Sequence, residues 1–210
     1  MTDDRHIPVL LAETLDALAL APGEAALDCT AGLGGHSSAM AAAVGPTGTL
    51  VVNDADPANM AFAEARVRAL EAPPKVIGVR GNFADAPRRL LEIGVRVDAV
   101  LADLGFASTQ VEDASRGLSF MRDGPLDMRF DPNSPTTAAD LVNTLGEREL
   151  VEILRDFGEE REAPRIARKI VEERLVEPIT TTSRLAGIVR AASSPRRPAG
   201  TDRTSRTGHA

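Results

Sequence analysis

The 210-residue chain contains one cysteine, Cys29. A single thiol excludes an intrachain disulfide and any cysteine-rich zinc site. Cys29 follows an apolar run and reads as a packed residue rather than a reactive one. No stretch approaches the ~18 consecutive apolar residues of a membrane span. The opening Met1-Thr2-Asp3-Asp4-Arg5 lacks the basic and apolar regions of a secretory signal, so a cytoplasmic location is expected. Excess positive charge is also missing: the formal net charge is −7, which argues against a generic polyanion binder. Five of the 24 basic and one of the 31 acidic side chains lie from Arg190 onward, leaving 19 against 30, or −11, over residues 1–189. A body this acidic could still bind RNA through a local patch. What is present is 43% hydrophobic content, in a length that suits one core domain with an appendage.

The chain is organised around Ala26-Leu27-Asp28-Cys29-Thr30-Ala31-Gly32-Leu33-Gly34-Gly35-His36-Ser37. Apolar residues run into an acid, then glycines, then a polar residue able to open a helix. This is the pattern of a buried parallel strand turning into a helix past a ligand, and Gly32, Gly34 and Gly35 suit a loop lying against a cofactor. A second apolar run, Thr49 to Asn53, ends at Asp54, 20 residues beyond Gly34. In doubly wound folds an acid at about that distance accepts hydrogen bonds from a cofactor ribose. Counting G-x-G-x-x-G from Gly32 puts Ser37 where the third glycine would stand. That departure weakens a nicotinamide-dependent oxidoreductase and favours a nucleoside cofactor without a pyrophosphate, such as S-adenosylmethionine.

Taken in order, residues 7–20 have apolar positions at helical spacing. Strands are expected at 25–30, 49–53, 76–79 and 97–102, with helices at 37–44, 58–72 and from about 85 to 93. Pro57 suits the first turn of its helix. Strands alternating with helices predict an α/β fold with a parallel sheet, whose ligands lie at the strands' carboxyl ends. Gly34, Asp54, Phe83 and Asp103 all fall there. After Gly105 the alternation stops. Residues 106–135 read as loop, and 136–192 as helices near 136–142, 147–157, 163–173 and 183–192, with Ser183 as N-cap of the last. The expected division is a Rossmann-like cofactor domain over 1–105, a loop and helical subdomain for substrate recognition over 106–192, and a disordered basic tail over 193–210.

The segments HIPVLLAETLDAL, DCTAGLGGHS, NDADP, ADLGFASTQVEDASRGLSFMRDGPLDMRFD and FGEEREAPRIARKI closely resemble the bacterial 16S rRNA cytosine-N4 methyltransferases, the small subunit methyltransferase H family. The resemblance covers about residues 6–192. It implies a class I S-adenosylmethionine-dependent methyltransferase sheet with an inserted helical domain, and 16S rRNA or the small ribosomal subunit as partner, without a metal or membrane. It sets no oligomeric state. The family's cofactor contacts fall on Gly34, Gly35, His36, Asp54, Phe83, Asp103 and Gln110. Asp54 would take the ribose hydroxyls, Phe83 would lie against the adenine, and Gln110 could bond the cofactor's polar groups. Without the family, His36 reads as a solvent-facing residue at a helix start.

Methyl transfer to a cytosine amino group requires a site that accepts its N–H protons and holds it close to the methyl. Asp103 and Asp127 are the candidates. Asp127 could equally form an ion pair with Arg122 or Arg129 that only fixes the loop. The target base must leave its stack, and Arg122, Arg129, Arg165 and Arg168 could meet phosphates. The family continues further, with ATRTFQALR-, GGRL- and SFHSLED-like segments absent here, so the sheet is expected to be incomplete at its C-terminal strands. Residues after Ala192 look unrelated, as a truncated or shifted reading frame would. Strand four is then expected to have an open apolar edge, and cofactor affinity to outlast turnover. A catalytically impaired cofactor- or RNA-binding remnant is the alternative reading. Smaller departures at Phe106-Ala107-Ser108-Thr109 and at Glu162 and Pro164 bear on the pocket's shape.

Overall fold

The computed structural model describes residues 8–193. The order of elements is α1 (Leu11–Leu18), β1 (Ala25–Asp28), α2 (Gly35–Val44), β2 (Thr49–Val52), α3 (Pro57–Arg68), β3 (Lys75–Gly78), α4 (Ala86–Glu92) and β4 (Ala99–Leu101). There follow α5 (Ser108–Glu112), α6 (Ala138–Thr144), α7 (Glu147–Asp156), α8 (Ala163–Arg174) and α9 (Thr182–Ala192). The α/β class read from the alternation of elements is the one observed. No helix among the described residues is long and apolar enough to cross a membrane.

All strands pair in parallel in the order β3-β2-β1-β4, with Leu27 opposite Val51 on one side and Val100 on the other. Alternate residues of the central strands face opposite layers. Ala26 and Leu50 pack with Met40, Val44 and Val67, while Leu27 and Val51 pack with Cys29, Val79 and Leu90. The chain winds from β1 outward to β3 and then crosses to the other side of β1. That reversal opens a crevice at the carboxyl ends of β1 and β4, where ligands of such sheets bind. Among the described residues β4 stands at one edge of the sheet, and Val100 in its middle is 54% exposed.

Local chemistry fixes the helix starts. Asp56 caps α3, accepting from the Ala58 N–H at 2.9 Å, with Pro57 in the first turn as expected. Thr137 and Asp140 cap α6 reciprocally: Thr137 Oγ1 accepts from Asp140 N at 3.1 Å and Asp140 Oδ2 from Thr137 N at 2.8 Å. The cap of α9 is Thr181 rather than Ser183, its hydroxyl accepting from Arg184 N at 3.3 Å. Ser183 lies inside the first turn, and its own N–H donates to Asp123 Oδ1 at 3.1 Å.

Compactness divides the described residues into two units: the sheet unit, up to Arg116 together with Met128–Thr136, and a helical unit, Gly117–Asp127 together with Thr137 onward. The boundary therefore differs from the one expected after Gly105. The cause is the bonding of the loop. In the sheet unit, Arg116 O accepts from Met128 N at 3.0 Å. In the helical unit, Leu126 is buried in the core with Leu150, Ile166, Ile170 and Ile188. The tail beyond Ser193 lies outside the described residues.

The helical unit is stapled by Asn143. Its Nδ2 donates to Ala139 O at 2.7 Å and Ile179 O at 2.8 Å, and its Oδ1 accepts from Ile179 N at 2.9 Å. Asn143→Ala leaves the polar groups of the buried Ile179 backbone unpaired. The substitution should destabilise the unit by about 2–3 kcal/mol. Urea unfolding should show a clearly lower midpoint; an unchanged midpoint would contradict the staple.

Candidate cofactor site at the carboxyl edge of the sheet

The site begins at a buried acid. Asp28, the last residue of β1, is fully buried. Its Oδ2 accepts from Ser37 Oγ at 2.6 Å and its Oδ1 from Thr30 N at 3.1 Å. Burial raises its pKa above the ordinary value, opposed by the hydrogen bonds from Ser37 and Thr30. The Asp28–Ser37 bond ties the end of the strand to the start of α2 across the glycine loop. Burial, with the nearby Asp28 charge, likewise pushes the Cys29 thiol up, consistent with a packed residue.

The loop glycines serve different purposes. Gly34 has φ +74°, and a Cβ there would stand 3.0 Å from Ala63 Cα, so it admits the close approach of α3. Gly32, at φ +51°, meets nothing nearer than Thr30 O at 3.9 Å and leaves its side of the loop open. Gly35 opens α2. Asp54 holds the loop from the neighbouring strand: its Oδ2 accepts from Gly32 N at 2.8 Å and its Oδ1 from Asp56 N at 2.8 Å. Each carboxylate oxygen keeps acceptor capacity for a further donor.

Around this frame the remaining candidates gather. Gly81 N donates to Asp54 O at 3.0 Å, which brings the half-exposed Phe83 to the end of β2. Asp103 follows β4; its N–H donates to Thr30 Oγ1 at 2.8 Å, while its side chain is 64% exposed. His36 does not face solvent as its helix-start position implied. It is buried, with Nδ1 3.8 Å from Asp103 Oδ2, and among the described residues Nε2 has no hydrogen-bond partner. The reason is that α2 begins inside the crevice, so its first turn is covered by the strand ends. Gln110 is brought in through Asp56: its Nε2 donates to Asp56 Oδ2 at 3.0 Å and its Oε1 accepts from Ala107 N at 3.0 Å. Arg116 Nη2 donates to the same Asp56 oxygen at 2.6 Å. Gln110 is thus a brace within the loop and α3.

Other candidates lie elsewhere. Asp127 belongs to the helical unit, where its carbonyl accepts from Ala138 N at 2.8 Å and its N–H donates to Pro125 O. Arg122, Arg165 and Arg168 are in the same unit. Arg165 pairs with Glu162 at 2.9 Å and Arg168 with Glu147 at 3.8 Å. Arg129 belongs to the sheet unit and donates to the carbonyls of Pro132 at 3.0 Å and Ser134 at 2.7 Å, which pins its own loop. Among the described residues no group of three or more His, Cys, Asp and Glu is placed to hold a metal. Sequence reasoning assigned no role to Asp28, Thr30, Asp56 or Arg116. An acid at a strand's end followed by a helix-opening serine was the available signal for Asp28.

The crevice thus gathers carboxylates at the ends of β2 and β4, a glycine loop and the imidazole of His36. A model of the MraW methylase family matches residues 3–207. The chain belongs to the MraW methylase family. The match runs past Ala192, further than the motifs alone carried the resemblance. The chain is 46% identical over 198 residues to "Ribosomal RNA small subunit methyltransferase H" of Acidobacterium capsulatum, covering 92% of this chain and 65% of that one. It is 45% identical over 186 residues to the protein of the same name from Desulfosudis oleivorans, covering 88% and 59%. The chain therefore spans about three-fifths of the length of these relatives. A solved protein-L-isoaspartate O-methyltransferase aligns at TM-score 0.40 and 19% identity, over 59% of this chain and 39% of that one. The parallel α/β sheet with helices on both faces expected from the sequence is the fold of this chain.

Because the Asp28 pKa is raised, the native state holds its proton more tightly than the unfolded chain does. That stabilisation is complete below the unfolded value of 3.8 and is lost as pH rises through the folded pKa. Asp28→Asn, uncharged throughout, should lack this loss. Urea unfolding from acid to neutral pH should show the parent losing stability relative to the variant as pH rises. Parallel profiles would contradict the raised pKa.

Proposed function

We propose that this chain binds S-adenosylmethionine at the carboxyl edge of the sheet and serves N4-methylation of a cytidine in 16S rRNA of the small ribosomal subunit, in the cytoplasm. The observation that carries the reading is the convergence of the Gly32–Gly35 loop, Asp54, His36 and Asp103 on the crevice where the strand order reverses. Membership of a methylase family supports methyl transfer, and the names of the relatives support ribosomal RNA as acceptor. In this reading the sheet unit is the cofactor half and the helical unit recognises the substrate.

Gly34, Gly35 and His36 line the cofactor's approach at the start of α2. Asp54, already holding the loop through Gly32 N, accepts the ribose hydroxyls on its remaining lone pairs. Phe83 offers an apolar face to the adenine. The cofactor supplies a methyl group activated by its sulfonium charge. Asp103, exposed at the end of β4, accepts the N–H protons of the incoming cytosine amino group and restrains it for in-line attack. Asp127, in the helical unit, is the second candidate acid. Gln110, with Asp56 and Arg116, keeps the loop after β4 in place. Arg122, Arg129, Arg165 and Arg168 are the proposed phosphate contacts. The ion pairs of Arg165 and Arg168 are exposed and so are weak enough to be exchanged for phosphate.

Asp54→Ala removes a charged acceptor and should weaken binding of the cofactor or its demethylated product by roughly 1.5–3 kcal/mol. Titration calorimetry on the parent and variant measures this directly. Equal affinities would remove the ribose assignment, and a parent without affinity for either compound would remove the reading as a whole.

A further inference from the structure

The chain has six phenylalanines and no tryptophan or tryptophan-like residue: Trp and Tyr are both absent. Phenylalanine is among the residue types most often buried. Here all six, Phe62, Phe83, Phe106, Phe120, Phe130 and Phe157, are at least 40% exposed, while the core clusters are built from aliphatic residues, alanine, methionine and Cys29. The extreme case is Phe157, at 85%. It stands within the FGEEREAPRIARKI segment, whose role the cofactor site does not absorb.

Phe157 follows α7 at the turn into α8. It lies three and seven residues beyond Leu154 and Leu150, which pack in the helical core, so helical spacing alone would have buried it. The turn is tightly closed instead. Glu159 N donates to Arg155 O at 3.1 Å and Glu160 N to Leu154 O at 3.0 Å. Glu159 takes a left-handed φ of 50°, and a Cβ on Gly158 would come 2.7 Å from Leu154 O. Non-glycine residues in that conformation persist where the surroundings impose it, commonly at functional positions. Beside the turn is a cleft of about 500 Å3 with an apolar wall of Val151, Ala163 and Pro164, flanked by Arg155, Arg161, Glu159 and Glu160.

We infer that the α7–α8 turn docks an unpaired base of the RNA, stacked on Phe157, with Arg155 and Arg161 meeting the neighbouring phosphates. This rests on the RNA-methylating reading above and adds the form in which the RNA is held. Single-stranded nucleic acid is bound by aromatic faces set among cations, and unpaired bases are what proteins stack and read in RNA. A protein partner would instead call for a wider apolar patch. Phe157 is a single ring among Arg155, Asp156, Glu159 and Arg161; Arg155 Nε is paired with Asp156 at 2.8 Å, an exposed pair that phosphate can replace. Glu159 and Glu160 face phosphate unfavourably, but a carboxylate can accept from a base amino group.

The test measures fluorescence anisotropy of a labelled single-stranded oligoribonucleotide and its duplex, without cofactor, on the parent, Phe157→Ala, Phe157→Leu and Phe157→Trp. Phe157→Ala and Phe157→Leu should each lose about tenfold in single-strand affinity, the scale of one lost base stack. Phe157→Trp should keep it, and duplex affinity should stay unchanged in all. Calorimetric affinity for the demethylated cofactor should be the same in every variant. Parent-like single-strand binding by Phe157→Ala overturns the inference and leaves the methylase reading standing. Full retention by Phe157→Leu also overturns it, since an apolar contact then suffices. A parent that binds cofactor but neither form of RNA overturns both the inference and the RNA substrate.

Discussion

The two bonds from backbone N–H groups to the Asp54 carboxylate are the constraint on which the site depends. One comes from Gly32 in the loop after β1, the other from Asp56 at the start of α3. A charged acceptor holding two backbone donors is stronger than a neutral pair. It fixes a loop that glycine would otherwise leave free to move. Asp56, oriented in the same turn, caps α3 and receives Gln110 and Arg116 from beyond β4. Two consecutive strand ends and the loop after the fourth strand are thereby joined through one short acidic segment, Asp54-Ala55-Asp56.

On the other side of the crevice, Thr30 and Asp28 do the corresponding work. Thr30 Oγ1 receives the Asp103 N–H, which aligns the exits of β1 and β4. Asp28 anchors Ser37 beneath the loop at a cost in desolvation that its raised pKa records. The result is a floor with the exposed Asp103 carboxylate at one end and the buried His36 imidazole beside it. Rigid placement of this kind is what lets a few polar groups orient a ligand.

The helical unit has a different logic. Its core is a single aliphatic cluster, and the loop containing Arg122 to Asp127 is sewn to the segment before α9. Leu126 N donates to Thr180 O at 2.9 Å, and Thr182 N to Gly124 O at 3.0 Å. Gly117 closes the loop: at φ +66° it lies so near Pro125 O that a Cβ would overlap it. The loop that carried the most specific resemblance is therefore structural along much of its length, while aromatic side chains are left at the surface.

The sequence by itself determined the parallel α/β sheet, because apolar runs, turn residues and helical spacing are local signals. It also determined the positions of Gly34, Asp54 and Asp103 at one edge, because strand ends follow directly from strand runs. The surroundings of those residues were decided by tertiary structure. His36 is buried because α2 starts within the crevice. Gln110 is occupied because Asp56, 54 residues earlier, reaches it. Arg129 turns to its own loop's carbonyls. The last helix is capped by Thr181, and Asp123, 60 residues away, takes the Ser183 N–H. The boundary between units falls at Arg116, where pairing across the chain assigns 117–127 and 128–136 to different cores. Partners so distant in sequence leave no periodic trace. They exist only once the chain has folded and each polar group takes the nearest partner that burial allows.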